Sequence, residues 1–176
     1  LVNNGVEAYF SGCLTLTLGE KYRSSKRGNK TYIVDPHING EMNWKNMSNA
    51  LLTILTHPLD ILKLYRNKQL SLHNGRNFLR KAFKTALYYK EYSRMFSRKV
   101  VMESIYVNQE NNLYKTHFKT DFDRLQEAER LIQLYAEASF VITSRIHCAL
   151  PCLGLETPVI YIEKGQDSEE SKCRLD

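Results

Sequence analysis

Two short apolar runs near the end of the chain constrain its fold more than any other feature. Phe140–Thr143 and Val159–Ile162 are rich in β-branched residues and lack the alternation of apolar and polar positions that marks a half-exposed strand. Strands of this kind are typical of parallel sheets that are covered on both faces. Only 15 residues separate them, enough for one short crossover helix. The stretch from Ala138 to Glu163 therefore predicts a tight βαβ unit.

Other segments supply the rest of an α/β domain. Thr31–Asp35 predicts a strand that ends before Pro36, since proline cannot donate to a sheet. Partial alternation predicts a strand-like region at 6–18, 113–118 predicts another strand, and 100–107 is compatible with either a helix end or a strand. Interleaved with predicted helices, these strands indicate an α/β fold with a Rossmann-like parallel sheet and flanking helices.

Apolar residues at helical spacing predict four helices and their buried faces. They lie at 49–56, from Pro58 onward, at 77–98, and from Thr120 to near Ala138. In the first helix, Leu51, Leu52 and Leu55 are the predicted buried side. In the long third helix the predicted stripe consists of Phe78, Leu79, Ala82, Phe83, Ala86, Leu87, Tyr92, Met95 and Phe96.

Two carboxylates at the start of the last of these helices suggest a second interpretation. Asp121-Phe122-Asp123 superficially matches an Asp-x-Asp metal site for nucleotide sugars. Thr120 as N-cap, with Asp123 three residues on, already explains both carboxylates, because acidic groups suit the positive end of the helix dipole. We therefore favour a helix cap over a metal site.

A polar cluster follows the strand Phe140–Thr143 directly. Ser144 is a good N-cap residue, and the start of a helix offers unpaired N–H groups to an anion. Arg145 adds a guanidinium able to grip a carboxylate or phosphate, and His147 can transfer a proton near neutral pH. The cluster lies at the carboxyl end of a parallel strand, where open α/β sheets bind ligands. Residue types alone leave a purely structural histidine equally open.

The net charge of +6 indicates which classes of partner the protein could bind. Much of the excess lies in 76–99 and suits an anionic substrate, an anionic membrane surface or nucleic acid. A solvated basic helix face is the favoured interpretation, and peripheral membrane contact stays an open alternative. Nucleic-acid binding is not expected, because the aromatic residues of this helix are predicted to be buried and not displayed for stacking.

Cysteines and hydropathy bear on the cellular setting. Cys13, Cys148, Cys152 and Cys173 are predicted to be reduced thiols, not a disulfide framework or a metal site. The sequence contains neither a long apolar span nor a signal segment. We expect a cytoplasmic protein, with the inner face of the membrane as an alternative location, and we expect no metal.

The residues around the polar cluster resemble the polysaccharide pyruvyl transferase family. The resemblance is strongest over 121–162, which includes Tyr-Ala-Glu-Ala-Ser-Phe-Val-Ile-Thr-Ser-Arg-Ile-His-Cys-Ala-Leu-Pro and Thr-Pro-Val-Ile-Tyr-Ile. The family's usual element is Ser/Ala-Arg-Leu-His after an apolar strand, so Ile146 stands here in place of leucine. The segment 8–18 also looks like one found in bacterial members. The middle of the chain, 40–112, shows no recognisable resemblance.

The resemblance implies an architecture similar to that of GT-B glycosyltransferases, with two domains and an active site in the cleft. Residues 1–35 would be the end of the N-terminal domain and a crossover strand, and 36–176 would be an incomplete C-terminal Rossmann-like domain. The chain begins at Leu1 and not at methionine, so we expect an upstream domain and a C-terminal tail to be absent and the fragment itself to be inactive.

The resemblance also implies a reaction. A pyruvyl group would pass from phosphoenolpyruvate to two hydroxyls of a sugar as a ketal during surface polysaccharide biosynthesis, without a cofactor. His147 matches the family's histidine and is the expected catalytic residue. Ser144, Arg145 and Ile146 would bind substrate, with His117 as a secondary candidate. The saccharide acceptor could be free or lipid-linked. Two alternatives stay open: a GT-B-like glycosyltransferase using a nucleotide-sugar, and a non-catalytic domain of a polysaccharide cluster.

Overall fold

The computed structural model describes residues 14–38, 41, 43–67, 70, 77–109 and 118–162. Within them lies a sheet of four parallel strands: β1 Thr31–Val34, β2 Ile105–Val107, β3 Phe140–Thr143 and β4 Val159–Tyr161. Their order across the sheet is β2-β1-β3-β4. The predicted α/β fold with a Rossmann-like parallel sheet is confirmed, as is the βαβ unit formed by β3 and β4.

Helices cover both faces of this sheet. A short 3-10 helix, Leu14–Leu18, leads into α1 Gly19–Tyr22. Between β1 and β2 lie α2 Trp44–Thr56, α3 Pro58–Arg66, α4 Phe78–Met95 and α5 Arg98–Glu103. After β2 come α6 Asp121–Ala136, which leads into β3, and α7 Ile146–Gly154, which connects β3 to β4. Asn43, Asn77 and Ser97 cap α2, α4 and α5 by accepting a hydrogen bond from a first-turn N–H.

The chain reverses direction across the sheet between β1 and β3. It leaves β1 for β2 on one side, then passes back to β3 on the other side. Ile33 and Ile142 pack with the helices α2 to α5 in one core, whereas Val34 and Val141 pack with α6 and α7 in another. The helices that follow β1 and β3 thus lie on opposite faces. In open α/β sheets this switch point is where ligands bind, at the carboxyl ends of the strands.

The strand-like region predicted at 6–18 is wrong where it can be compared. Residues 6–13 lie outside the described residues, and Leu14–Leu18 is a 3-10 helix. Its backbone passes so close to α7 that a Cβ added to Gly154 would lie 2.6 Å from the carbonyl oxygen of Thr15. Packing against Gly154 of α7, which is far away in sequence, determines the backbone conformation of this segment, and the local alternation of apolar and polar residues does not.

The other predicted strands have mixed outcomes. The segment 100–107, left open between helix and strand, contains the end of α5 and then β2. Of the predicted strand 113–118, residues 113–117 lie outside the described residues and Phe118 is not in a strand. The strand that pairs with β1 on this side of the sheet is β2.

Two helices exist as predicted but bury different faces. In α2 the side chains of Leu51, Leu52 and Leu55 are exposed, whereas Ala50 and Thr53 are buried. These small residues allow α2 to lie close against α4. In α4, Ala86, Leu87 and Tyr92 are buried as predicted, but Phe78, Leu79 and Met95 are exposed, and Tyr88 and Tyr89 are buried instead.

The carboxylates at the start of α6 form a helix cap. Thr120 Oγ1 accepts the Asp123 N–H at 3.1 Å, and an Asp123 carboxylate oxygen accepts the Thr120 N–H at 3.1 Å. Hydrogen bonds from Thr120 lower the pKa of Asp123. Asp121 pairs with Arg124 at 3.0 Å. The capping interpretation of Asp121-Phe122-Asp123 is confirmed.

The predicted division at residue 35 stays a prediction. In the described structure, β1 lies between β2 and β3 and pairs with both, so residues 31–34 share a sheet with the segments that follow. Among the helices in the described ranges, none combines the length and apolarity needed to cross a bilayer.

A buried carboxylate joins the helices on one face of the sheet. Asp60 of α3 is 7% exposed and accepts hydrogen bonds from Arg98 Nε at 2.8 Å and Nη2 at 2.6 Å. Tyr89 of α4 donates its hydroxyl to the same carboxylate at 2.8 Å. The hydrogen bonds from Arg98 outweigh burial, and with Tyr89 they lower the pKa of Asp60. This arrangement fixes α3 against α4 and the start of α5.

We predict that Asp60→Asn makes the protein less stable near neutral pH by about 2 kcal/mol, because a charge-assisted pair is lost. The folded-state pKa of Asp60 lies below its unfolded value of about 4, so the stabilisation is complete above that value and is lost as the pH falls through the folded-state pKa. Urea unfolding at several pH values measures both effects. Asp121→Asn, a substitution of an exposed carboxylate, is the control, and an equal loss in both variants would contradict the prediction.

Candidate active site

Three strands end side by side at the switch point. Asp35 follows β1, and Ser144 and Arg145 follow β3. Because Val34 pairs with both Val107 and Thr143, the residues beyond these strand ends meet at one edge of the sheet. The predicted polar cluster therefore lies beside an acidic residue of another strand.

Asp35 and Arg145 form an ion pair across this edge. Arg145 Nε lies 2.6 Å from Asp35 Oδ2. The aspartate side chain is 7% exposed, whereas the arginine side chain is 45% exposed. The Gln109 backbone N–H donates to Asp35 Oδ1 at 2.9 Å. One edge of the guanidinium is thus held by a buried, fixed carboxylate, and the arginine reaches outward from it.

The backbone at Asp35 is unusual in a way that suits this role. Its φ is +43°, a left-handed conformation that aspartate tolerates better than most residues. The Asp35 N–H continues the sheet by donating to the Val107 carbonyl at 3.0 Å. The chain turns sharply after this hydrogen bond, and the Asp35 carboxylate lies next to Arg145.

Ser144 does not cap α7, contrary to the prediction. The helix begins at Ile146 with Arg145 in the N-cap position, and no side chain caps it. The Ser144 hydroxyl donates instead to the Asp35 carbonyl oxygen at 2.8 Å, and the Arg145 N–H donates to Thr143 Oγ1 at 3.0 Å. Ser144 therefore ties β3 to β1 and leaves the start of the helix without a serine cap.

Helix α7 presents the rest of the cluster. Ile146, its first residue, is half-buried, and His147 is exposed. Pro151 lies inside the helix and does not end it, as α7 continues to Gly154. Proline has no N–H to donate to the carbonyl four residues earlier, that of His147. The helix ends in a Schellman arrangement, in which Glu156 has a φ of +56°.

Two cysteines lie beneath this helix start. Cys148 and Cys152 are buried, as predicted, and are not joined in a disulfide; Cys13 and Cys173 lie outside the described residues. Contact with the Cys148 thiol, together with burial, raises the pKa of Cys152, so Cys152 stays protonated at neutral pH. Among the described residues, no group of three or more His, Cys, Asp or Glu side chains is placed to hold a metal ion.

A second set of hydrogen bonds connects this edge of the sheet to α6. Gln109, which follows β2, donates its side-chain amide to the Tyr135 hydroxyl of α6 at 2.7 Å. The Tyr135 carbonyl accepts the buried Thr157 hydroxyl at 2.8 Å. Gln109 thus contacts Asp35 through its backbone and α6 through its side chain, which links the ion pair to the core around α6 and α7.

The structure brings together most of the predicted site. Ser144, Arg145, Ile146 and His147 form one continuous turn into α7. His117 lies outside the described residues. Asp35 was predicted only as the end of a strand, and its pairing with Arg145 was missed. A carboxylate placed directly after an apolar strand was the available signal, because parallel strands bring their carboxyl ends to the same edge.

The opposite edge of the sheet has a surface cavity of about 390 Å³. It is lined by residues that precede β1, among them Lys26 and Lys30, and by Glu137, which precedes β3. This is the amino edge of the parallel strands. We place the candidate site at the carboxyl edge, because ligands of open α/β sheets bind there and because the Arg145 ion pair is there.

We predict that Asp35→Ala costs about 2 kcal/mol of unfolding free energy, since the Gln109 N–H loses its buried acceptor and alanine is strained at positive φ. Asp35→Asn should cost less, because asparagine keeps an acceptor and tolerates this backbone conformation. Urea denaturation of both variants measures the difference. Equal losses would show that neither the acceptor nor the backbone conformation matters.

The comparisons with known proteins place the chain in a family. A family model described as polysaccharide pyruvyl transferase matches residues 1–164 of the 176-residue chain. Searches of curated proteins and of solved structures gave no match. The matched range includes the whole switch point, with Asp35, Arg145 and His147. The family consists of transferases, and its description implies a saccharide acceptor. The chain belongs to the polysaccharide pyruvyl transferase family.

Proposed function

We propose that the protein transfers a pyruvyl group from phosphoenolpyruvate to two hydroxyls of a sugar, as a ketal, in surface polysaccharide biosynthesis. The observation that carries this proposal is the Arg145 guanidinium, held by buried Asp35 at the switch point, with His147 two residues further on. Family membership supports a pyruvyl transferase with a saccharide acceptor. The donor and the ketal chemistry are our proposal.

Arg145 suits a donor with two acidic groups. Phosphoenolpyruvate carries a carboxylate and a phosphate on the same carbon atom. The guanidinium has five N–H donors, and the ion pair with Asp35 engages it through Nε. Its two Nη atoms carry the other four donors, in the planar geometry that grips a carboxylate or phosphate. The first N–H groups of α7, which has no side-chain cap, add a second anion-binding element.

The reaction needs protons to move at defined atoms. Protonation of the methylene carbon of phosphoenolpyruvate creates an oxocarbenium-like centre, and a sugar hydroxyl attacks it and loses its proton. The carbon–oxygen bond to phosphate then breaks, and the second hydroxyl adds at the same carbon. The products are the cyclic ketal and inorganic phosphate. The two sugar hydroxyls lose two protons in all. One restores the proton that the protein gave to the methylene carbon, and the other leaves on the phosphate.

His147 is the group we assign to proton transfer. It is exposed at the start of α7, and imidazole can accept or donate a proton near neutral pH. Ile146 occupies the turn between Arg145 and His147 and is half-buried. We assign it to the wall of the substrate site, and we assign Ser144 to holding β3 against β1 through Asp35.

We propose that the reaction takes place in the cytoplasm, that the acceptor is lipid-linked at the inner face of the membrane, and that the protein contacts that membrane peripherally. A GT-B-like arrangement of two domains would place the Asp35–Arg145 edge in the cleft between them.

Binding of phosphoenolpyruvate is the first test. Titration calorimetry should show binding to the protein and roughly tenfold or greater weakening in Arg145→Gln, about 1.4 kcal/mol or more. Arg145→Lys should recover only part of the affinity, because an ammonium cannot form two parallel hydrogen bonds. Arg124→Gln, a substitution of an exposed arginine on α6, is the matched control. Binding of nucleotide-sugars with no binding of phosphoenolpyruvate would favour the glycosyltransferase alternative and overturn the proposal.

Phosphate release tests the histidine. With phosphoenolpyruvate and a panel of sugars offering neighbouring hydroxyl pairs, His147→Gln should lower the rate by about 10²-fold or more, the usual contribution of a general acid or base. Its affinity for phosphoenolpyruvate should change little. His57→Gln, at the exposed junction of α2 and α3, is the control. Undiminished turnover in His147→Gln would contradict the assignment.

A further inference from the structure

Helices α2 and α3 expose an unusual amount of apolar surface. Trp44, Met47, Leu51 and Leu55 follow one another at steps of three and four residues, so they form one stripe along α2. All four are exposed, Trp44 at 84% and Leu55 at 70%. On α3, Leu59 and Leu62 are also exposed, at 79% and 45%. The buried residues of both helices face α4 instead.

The net positive charge of the chain lies in the segment that contains these two helices and most of α4. Residues 43–90 contain nine lysines and arginines and one carboxylate, Asp60, a net charge of +8. Because the chain as a whole carries +6, all other residues together carry −2. Asp60 is buried and paired with Arg98, so it does not offset the exposed cations. Exposed cations of this segment include Lys45, Lys63, Arg66 and Arg80.

The combination of exposed apolar side chains and exposed cations favours one class of anionic partner over the others. Exposed apolar side chains accompanied by cations, here Lys45 on α2 and Lys63 and Arg66 on α3, are typical of helices that lie in the plane of a bilayer surface, as is an exposed tryptophan at one end. Nucleic-acid interfaces are polar and do not need exposed leucines. A second copy of this face would bring its exposed cations Lys45, Lys63 and Arg66 close to like charges, which disfavours self-association through it.

We propose that α2 and α3 form a membrane-docking face that binds the surface of bilayers containing anionic lipids. The apolar side chains of Trp44, Met47, Leu51, Leu55, Leu59 and Leu62 enter the interfacial region, and the surrounding lysines and arginines contact the headgroup charge. This inference names the surface that would make the membrane contact included in the proposed function. It rests on the charge and exposure of α2 and α3, so it does not depend on the identity of the donor.

The chain carries its own probe for this proposal. Trp44 is the one tryptophan of the sequence and lies on the proposed face. With vesicles of phosphatidylcholine and phosphatidylglycerol, its fluorescence should shift to the blue and be quenched by brominated lipid. Co-sedimentation should show roughly tenfold or stronger binding to these vesicles than to phosphatidylcholine alone, since each basic residue near an anionic surface adds appreciably to affinity. Salt should weaken the binding.

Substitutions separate this face from the rest of the molecule. Leu51→Asp combined with Leu55→Asp should reduce vesicle binding roughly tenfold or more. Both positions are exposed, so the fold should persist, which circular dichroism and urea unfolding can verify. Leu125→Asp is the matched control, because Leu125 is 69% exposed on α6, away from the proposed face. It should bind vesicles as the unchanged protein does.

Three results would overturn the proposal. The first is unchanged Trp44 emission with anionic vesicles. The second is that the unchanged protein binds a single-stranded oligonucleotide but not vesicles, and that the leucine substitutions abolish the oligonucleotide binding. The third is a dimer in light scattering that those substitutions convert to a monomer without any vesicle binding. Failure of phosphoenolpyruvate to bind would overturn the proposed donor and leave this inference standing.

Discussion

The central position of β1 determines the rest of the structure. Because β1 pairs in parallel with β2 on one side and β3 on the other, the chain must leave it in one direction and return past it in the other. The two sets of helices then cover opposite faces, and the chain leaves the carboxyl ends of β1 and β3 toward opposite faces of the sheet. Parallel pairing also places Asp35 beside Ser144 and Arg145, although more than 100 residues separate them in sequence.

Asp35 is the residue through which the three strand ends act together. Its carboxylate forms an ion pair with Arg145 and accepts the Gln109 N–H, and its carbonyl accepts the Ser144 hydroxyl. A buried carboxylate with several fixed donors is a rigid support, whereas an exposed arginine alone would lose considerable side-chain entropy on binding a ligand. Under the proposed function, the ion pair orients Arg145 for an anion.

The local parts of this arrangement were predictable from sequence, and the long-range parts were not. The apolar runs of β3 and β4 and the cap at Thr120 depend on neighbouring residues, and their patterns predicted them. A helix start after β3 was also predicted, but Ser144 as its N-cap was not confirmed, because the Ser144 hydroxyl donates to distant Asp35. The pairing of Asp35 with Arg145 depends on strand order, which the sequence pattern does not encode. The buried faces of α2 and α4 were mispredicted for a related reason: Leu51 and Leu55 resemble core residues, but Ala50 and Thr53 permit closer packing on α4.

A double-mutant cycle on phosphoenolpyruvate binding tests the central claim most directly, namely that Asp35 acts on the ligand through Arg145. Dissociation constants would be measured by calorimetry for the unchanged protein, Asp35→Asn, Arg145→Gln and the double variant. If Asp35 serves only to orient Arg145, Asp35→Asn weakens binding in the unchanged protein but has little further effect once Arg145 is replaced. Independent, additive losses of affinity for the two substitutions would contradict the account.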